Sequence, residues 1–139
     1  MIVLLKRATL HFMIRILIIS LFLAVTLPSC EKDEDPTLFG SWQLENYTEK
    51  EYDNSVLINT VVEPGAGIAY EFRTDGQLII TTPGNPDITL IYTLPSPGVL
   101  EISGQTFEIR DLADHSMTLY DREDYGPGSY EEAYINLRR

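Results

Sequence analysis

Ile68-Ala69-Tyr70-Glu71-Phe72-Arg73-Thr74-Asp75-Gly76-Gln77-Leu78-Ile79-Ile80 is the stretch that decides the fold, because period-two burial makes its register calculable. Side chains alternate faces along a strand, so Ile68, Tyr70 and Phe72 must share a side with Leu78 and Ile80 if a core is to form. A two-residue loop at Asp75-Gly76 would oppose Phe72 to Ile79 and send Leu78 and Ile80 to the far face. A three-residue loop, Thr74-Asp75-Gly76, opposes Phe72 to Leu78 and Tyr70 to Ile80 and keeps all five together. Gly76 then takes the left-handed position of the accompanying bulge, where a side chain is costly. At Ser103-Gly104 the same test selects a two-residue loop. Leu100 then faces Phe107, Ile102 faces Gln105, and Leu100, Ile102, Phe107 and Ile109 lie on one side. Consecutive tight hairpins with one apolar face make an antiparallel up-and-down meander.

Working outward, the rest of the chain from Thr37 shows no convincing helix. Short β-rich runs are punctuated roughly every 8–12 residues by Gly, Pro, Asp and Asn. The pattern predicts strands near 42–47, 56–62, 68–73, 77–82, 88–94, 99–103, 105–110, 117–121 and 133–138: an all-β meander of eight to nine short strands. Two open edges would invite aggregation, and closure removes them. Eight strands close into a barrel whose interior is either filled by side chains or holds one small ligand. Eight strands of about 7 residues and seven turns of about 5 need roughly 90 residues. Residues 37–139 supply 103, with no room for a second module.

The first thirty residues have a different character. Lys6, Arg7 and Arg15 precede an apolar run, Ile16 to Leu27, and the segment closes Leu27-Pro28-Ser29-Cys30. A positive head, a short apolar core and a small residue before the cut make a secretory signal peptide. The run covers 12 positions, against the roughly 20 of a membrane-spanning helix. Met13-Ile14-Arg15 with the same run is already a complete short signal. Cys30 is the only cysteine in the chain, so it has no intramolecular disulfide partner.

Those four residues resemble the lipobox of bacterial lipoproteins, with Ser29 the small residue before the cysteine and Leu27 the aliphatic one three before it. Pro28 stands where that motif more often has a small or β-branched residue. The resemblance implies lipidation of Cys30, which becomes the first residue of an exported protein anchored in the outer membrane. It divides the chain into a signal peptide (1–29), an acidic tether (30–36) and one domain (37–139). The tether, Glu31-Lys32-Asp33-Glu34-Asp35-Pro36, has almost nothing to bury and suits a solvated spacer. An acidic tract in that place also resembles the export signal of surface-displayed lipoproteins, so the periplasmic face and the cell surface both stand as destinations.

Removal of the signal takes three of the ten basic residues and none of the acidic ones. Seven remain against 21, a net charge of −14. Such a surface repels nucleic-acid phosphates and anionic headgroups, which argues against DNA or RNA as a partner. A monomer, soluble beside its membrane, is the expected state.

Gly40-Ser41-Trp42, at the head of the first strand, is similar to the Gly-X-Trp opening of lipocalins and of bacterial lipocalin-like domains carried by small lipoproteins. The Phe72-x-x-Asp75-Gly76 hairpin and the closing strand ending in arginine resemble that family too. The resemblance implies a barrel whose closed end is formed by Gly40, Trp42 and an arginine packed on the tryptophan. Position allows Arg138 or Arg139, and the alternation of Ala133, Ile135 and Leu137 favours Arg139. It also implies a ligand at the other end, with Tyr70, Phe72, Leu90, Tyr92, Leu100 and Phe107 as candidate lining.

Catalysis and metal binding find weaker footing. His115, the mature chain's one histidine, sits in the turn Asp114-His115-Ser116, and nucleophile–base arrangements are built across elements rather than along a turn. Asp121, Glu123, Asp124, Glu131 and Glu132 flank a predicted Tyr125–Tyr130 loop without the alternation of a calcium-binding loop. No enzyme activity, metal or cofactor is expected. The functional expectation is a lipid-anchored binding protein holding a small apolar or amphipathic ligand. The alternative is a filled barrel that binds a protein or glycan through its surface or loops.

Overall fold

The structure is a computed structural model that describes residues 37–139; the signal segment, the lipobox with Cys30 and the 30–36 tether lie outside the described residues. Nine strands follow in order: β1 (Gly40–Asp53), β2 (Val56–Pro64), β3 (Ala69–Phe72), β4 (Gln77–Thr81), β5 (Ile88–Ser96), β6 (Val99–Ile102), β7 (Gln105–Arg110), β8 (Ser116–Gly126) and β9 (Ser129–Arg138). Each pairs antiparallel with its neighbours. The sheet β1-β3-β4-β5-β6-β7-β8-β9 closes through β1–β9 pairing into an eight-stranded barrel, with β2 attached along β1. The described residues form one compact unit. Every core side chain comes from within it, so it carries what it needs to fold alone.

The two hairpins that set the expectation have the calculated registers. Phe72 pairs Leu78 and Tyr70 pairs Ile80; Leu100 pairs Phe107 and Ile102 pairs Gln105. Gly76 has φ 83°, the left-handed site the three-residue loop requires.

β1 is the strand that shapes the molecule. Its first part (40–43) pairs with β3, and its second part (46–53) pairs with β2 on the same edge. Between them the chain turns through Gly65–Ile68, where the Gly65 amide donates to the Glu45 carbonyl at 3.0 Å and the Leu44 amide to the Ile68 carbonyl at 2.8 Å. Gly65 is buried there, and a Cβ on it would collide with the Leu44 carbonyl. Only glycine lets the two backbones approach so closely.

Three strands run longer than their sequence suggested: β1 continues to Asp53, β8 reaches Gly126 and β9 begins at Ser129. The predicted Tyr125–Tyr130 loop is a correction. Both tyrosines lie in strands of a long hairpin that reverses at Pro127-Gly128. The added lengths are charged and polar, because neither face touches the core, so no apolar alternation marks them. Together with β2 they form a four-stranded flap, β2-β1-β9-β8.

The core fills the barrel from the Trp42 end. Trp42, Phe72, Leu78, Leu100, Met117, Leu119 and Leu137 are fully buried. Trp42 donates its Nε1 proton to the Leu38 carbonyl at 2.8 Å, which gives its polar edge a partner. Phe72 meets Tyr92 edge-to-face at 5.4 Å. The Tyr92 hydroxyl donates to the Arg73 carbonyl.

Candidate functional site

Above this filled region, at the end away from Trp42, the barrel mouth holds a partly open cavity of about 260 Å³ lined by Tyr70, Leu78, Ile80, Leu90, Ile102, Ser103, Gln105, Phe107 and Ile135. Period-two alternation turns the aliphatic and aromatic members inward from β3, β4, β5, β6, β7 and β9. Ser103 and Gln105, at the β6–β7 turn, supply the polar part of the rim. Burial pushes the Tyr70 hydroxyl pKa up, so that group stays a neutral donor beside an otherwise apolar wall.

Of the six lining residues expected from sequence, the structure brings Tyr70, Leu90 and Phe107 to this cavity. Phe72, Tyr92 and Leu100 belong instead to the filled core beneath it. They sit nearer the Trp42 end, where large side chains meet across the barrel and leave no space. The lining that went unnamed, Leu78, Ile80, Ile102 and Ile135, follows from the same hairpin registers that turned their neighbours inward. Nothing in the sequence marked Ser103 or Gln105.

At the opposite end Arg139 lies over the Trp42 ring, its guanidinium carbon 4.1 Å from the centroid. Its Nε donates to the Asp114 carbonyl at 2.7 Å, Nη1 to Phe39 at 2.9 Å and Nη2 to Thr37 at 2.9 Å. A Cβ on Gly40 would sit 3.4 Å from Nη1. Gly40, Trp42 and Arg139 thus share one contact, while Arg138 points out to pair with Glu45 at 2.9 Å. A wider recess of about 550 Å³ lies at this end between Thr37–Phe39 and the β5–β6 turn. It is the more open of the two, and its remaining walls are Ile109 and Leu112. His115 is exposed in the β7–β8 connection, at the end away from the cavity.

The flap continues the barrel wall beyond the cavity, and its two faces differ. Pairing places Glu63, Tyr47, Ile135 and Leu119 in one row on the barrel-facing side. The next row is Val61, Glu49, Ala133 and Asp121, and the one beyond is Asn59, Glu51, Glu131 and Glu123. Glu63 stands at the β2 end of the Ile135 row, and carboxylates flank the strand of Ile135 on both sides from the next row up. Gln105 ties Asp121 to the rim, donating from Nε2 to Oδ2 at 2.7 Å. Partial burial, then the charges of Glu49, Glu123 and Glu51, holds the Glu131 carboxyl above its ordinary range. Tyr47, partly buried and donating to Glu49 at 2.8 Å, is pushed up to about 12.

The outer face is tyrosine-rich and charge-paired. Tyr52 stacks on Tyr130 at 4.4 Å and Tyr120 packs on Tyr134 at 5.2 Å. Lys50 lies over Tyr134, Arg110 over Tyr120 and Arg122 over Tyr130. Among the described residues no three His, Cys, Asp or Glu side chains converge as metal ligands. Compared as a whole, the chain matches no model of a known protein family and no curated protein.

Proposed function

We propose that this chain is an exported, lipid-anchored, non-enzymatic binding protein that holds a small apolar or amphipathic ligand in a lipocalin-like barrel. The observation that carries the reading is the partly open apolar cavity at the end away from Trp42, with Tyr70, Ser103 and Gln105 as its few polar groups. Apolar walls with sparse polar contacts are the ordinary make-up of small-molecule sites. Its volume of about 260 Å³ lies just under the usual range of roughly 300–1,000 Å³. The ligand is therefore small: one ring system or a short chain, not a long acyl chain held whole. Lipidation at Cys30 supplies the membrane attachment, at the periplasmic face or the cell surface. The net charge of −14 on the mature chain argues against nucleic acid. The chain acts as a monomer.

The test uses residues 35–139 and the neutral fluorescent probe N-phenyl-1-naphthylamine. Saturable one-to-one binding and a raised melting temperature are expected, and Ile80→Phe, which fills the cavity, should abolish both. Absence of saturable binding in the unaltered protein refutes the reading.

A second reading is favoured by one observation. β2 is exposed along its whole length, and Val56, Leu57, Ile58, Val61 and Val62 present apolar surface there. It forms the outer edge of the sheet, and an apolar edge strand is suited to pairing with an extended segment of a protein partner.

A further inference from the structure

We propose that the ligand of the cavity carries a cationic head, a protonated amine or similarly charged nitrogen, on its small apolar body. This rests on the cavity reading above and names the ligand's charge. The argument begins with position. Ile135 lines the cavity, and the row directly beyond it holds Glu49 and Asp121 on either side of Ala133. One step of two residues along a strand is roughly 7 Å, within reach of the head of a ligand whose body lies in the cavity. Gln105 is both a lining residue and the hydrogen-bond donor to Asp121, so the first carboxylate row is joined to the rim. A second row, Glu51, Glu131 and Glu123, lies beyond it.

What makes the face selective is that its carboxylates accept only neutral donors, Tyr47 on Glu49, Gln105 on Asp121 and Tyr125 on Glu123 and Glu131, and no basic side chain among the described residues pairs with them. The cations among the described residues are all engaged elsewhere. Lys50, Arg110 and Arg122 lie on tyrosine rings of the outer face. Arg73 pairs with Glu71, Arg138 with Glu45, and Arg139 covers Trp42. Glu131 stands directly opposite Glu51 on one side and Glu123 on the other, an arrangement that like charges disfavour. Burial first, and then the neighbouring carboxylates, raises both the Glu131 carboxyl and the Tyr47 hydroxyl. A bound cation lowers that repulsion, whereas a carboxylate head adds to it.

Three probes of one chain length separate charge from apolar burial: octylammonium, octanol and octanoate, each displacing N-phenyl-1-naphthylamine from residues 35–139 at low salt and pH 7.5. Octylammonium should bind about tenfold more tightly than octanol, and octanoate more weakly than either. The gap should narrow at about 0.5 M salt as screening sets in. Glu49→Gln with Asp121→Asn should remove most of the octylammonium advantage and leave octanol unchanged. Octanol and octylammonium binding within twofold of each other, or octanoate binding best, overturns the cationic assignment while the cavity reading stands. Failure of the neutral probe and all three competitors to bind overturns both.

Discussion

Replacing Phe72 by alanine tests whether the barrel is a packed core beneath its cavity. Phe72 is 1% exposed and meets Tyr92 edge-to-face. Truncating a buried phenylalanine costs about 3–5 kcal/mol in lost transfer energy and cavity formation. The aromatic pair adds roughly 0.5–1.5 kcal/mol beyond its area, which places Phe72→Ala near the top of that range, at about 4–5 kcal/mol. A domain of this size has about 5–15 kcal/mol in all, so a folded but much weakened protein is expected. At about 4–8 °C per kcal/mol, the melting temperature should fall by roughly 16–40 °C. Phe107, buried but bordering the existing cavity, has fewer atoms packed on that side. Phe107→Ala should stay near the low end, about 3 kcal/mol. Glu71 points outward in a surface pair with Arg73, and Glu71→Ala should change stability by no more than about 0.5 kcal/mol. Urea unfolding of the three variants beside the parent decides the matter. Equal losses at Glu71 and Phe72, or a Phe107 loss larger than that at Phe72, would refute the placement of core and cavity.

Gly65→Ala forces a Cβ into the Leu44 carbonyl and should cost about 3 kcal/mol, as overpacking does, read as a lowered urea midpoint. Arg139→Ala removes three hydrogen bonds to carbonyls and the cover over Trp42. A loss of about 2 kcal/mol is expected, with a changed fluorescence spectrum from the chain's single tryptophan and little rescue by lysine, which lacks the planar fork. Glu131 binds its proton more tightly folded than unfolded, so its ionised form destabilises above the folded pKa and that loss is recovered as pH falls toward the ordinary value of 4.5. Glu131→Gln should therefore melt higher than the parent at pH 7.5, with the advantage shrinking at pH 4.5. Cys30→Ala should lose incorporation of labelled fatty acid and no longer fractionate with membranes, and label retained in that variant would end the lipoprotein reading.

The barrel was legible wherever a strand has one face in the core. Phe72 against Leu78 and Leu100 against Phe107 follow from alternation and loop length alone, since any other register exposes the apolar set. Depth along the barrel axis was not legible. Tyr92 and Tyr70 both point inward, yet one is packed against Phe72 and the other lines the cavity. Alternation fixes the side of a sheet, not the height at which opposing side chains meet. The flap was hidden for a different reason. Thr48–Asp53, Arg122–Gly126 and Ser129–Glu132 carry no apolar stripe, and charged segments with Gly and Pro between them resemble loop. What makes them strands is pairing at long sequence separation, as between Tyr52 and Tyr130, which local pattern does not contain.

The flap also shows one sheet handling acidity in two ways. On β9, Glu132 faces outward and Glu131 faces the barrel side. Against the burial that would raise it, Glu132 is held below its ordinary range by hydrogen bonds from Tyr134 at 2.7 Å and Tyr120 at 3.1 Å and by the charge of Lys50. Its neighbour Glu131 has the opposite shift, raised by burial first and then by the charges of Glu49, Glu123 and Glu51. The cations, with Tyr52, Tyr120, Tyr130 and Tyr134, are thus spent on the face away from the cavity, while the inner carboxylates have only the neutral hydroxyls of Tyr47 and Tyr125. The face that adjoins it keeps its repulsion, at some cost to the stability of the flap. A bound cation is the simplest group that would relieve that cost, because it would stand where the protein places carboxylates and no basic side chain among the described residues. Stability and ligand charge are then two readings of the same electrostatic arrangement: whatever neutralises the inner rows should both tighten the flap and weaken the preference for a cationic head.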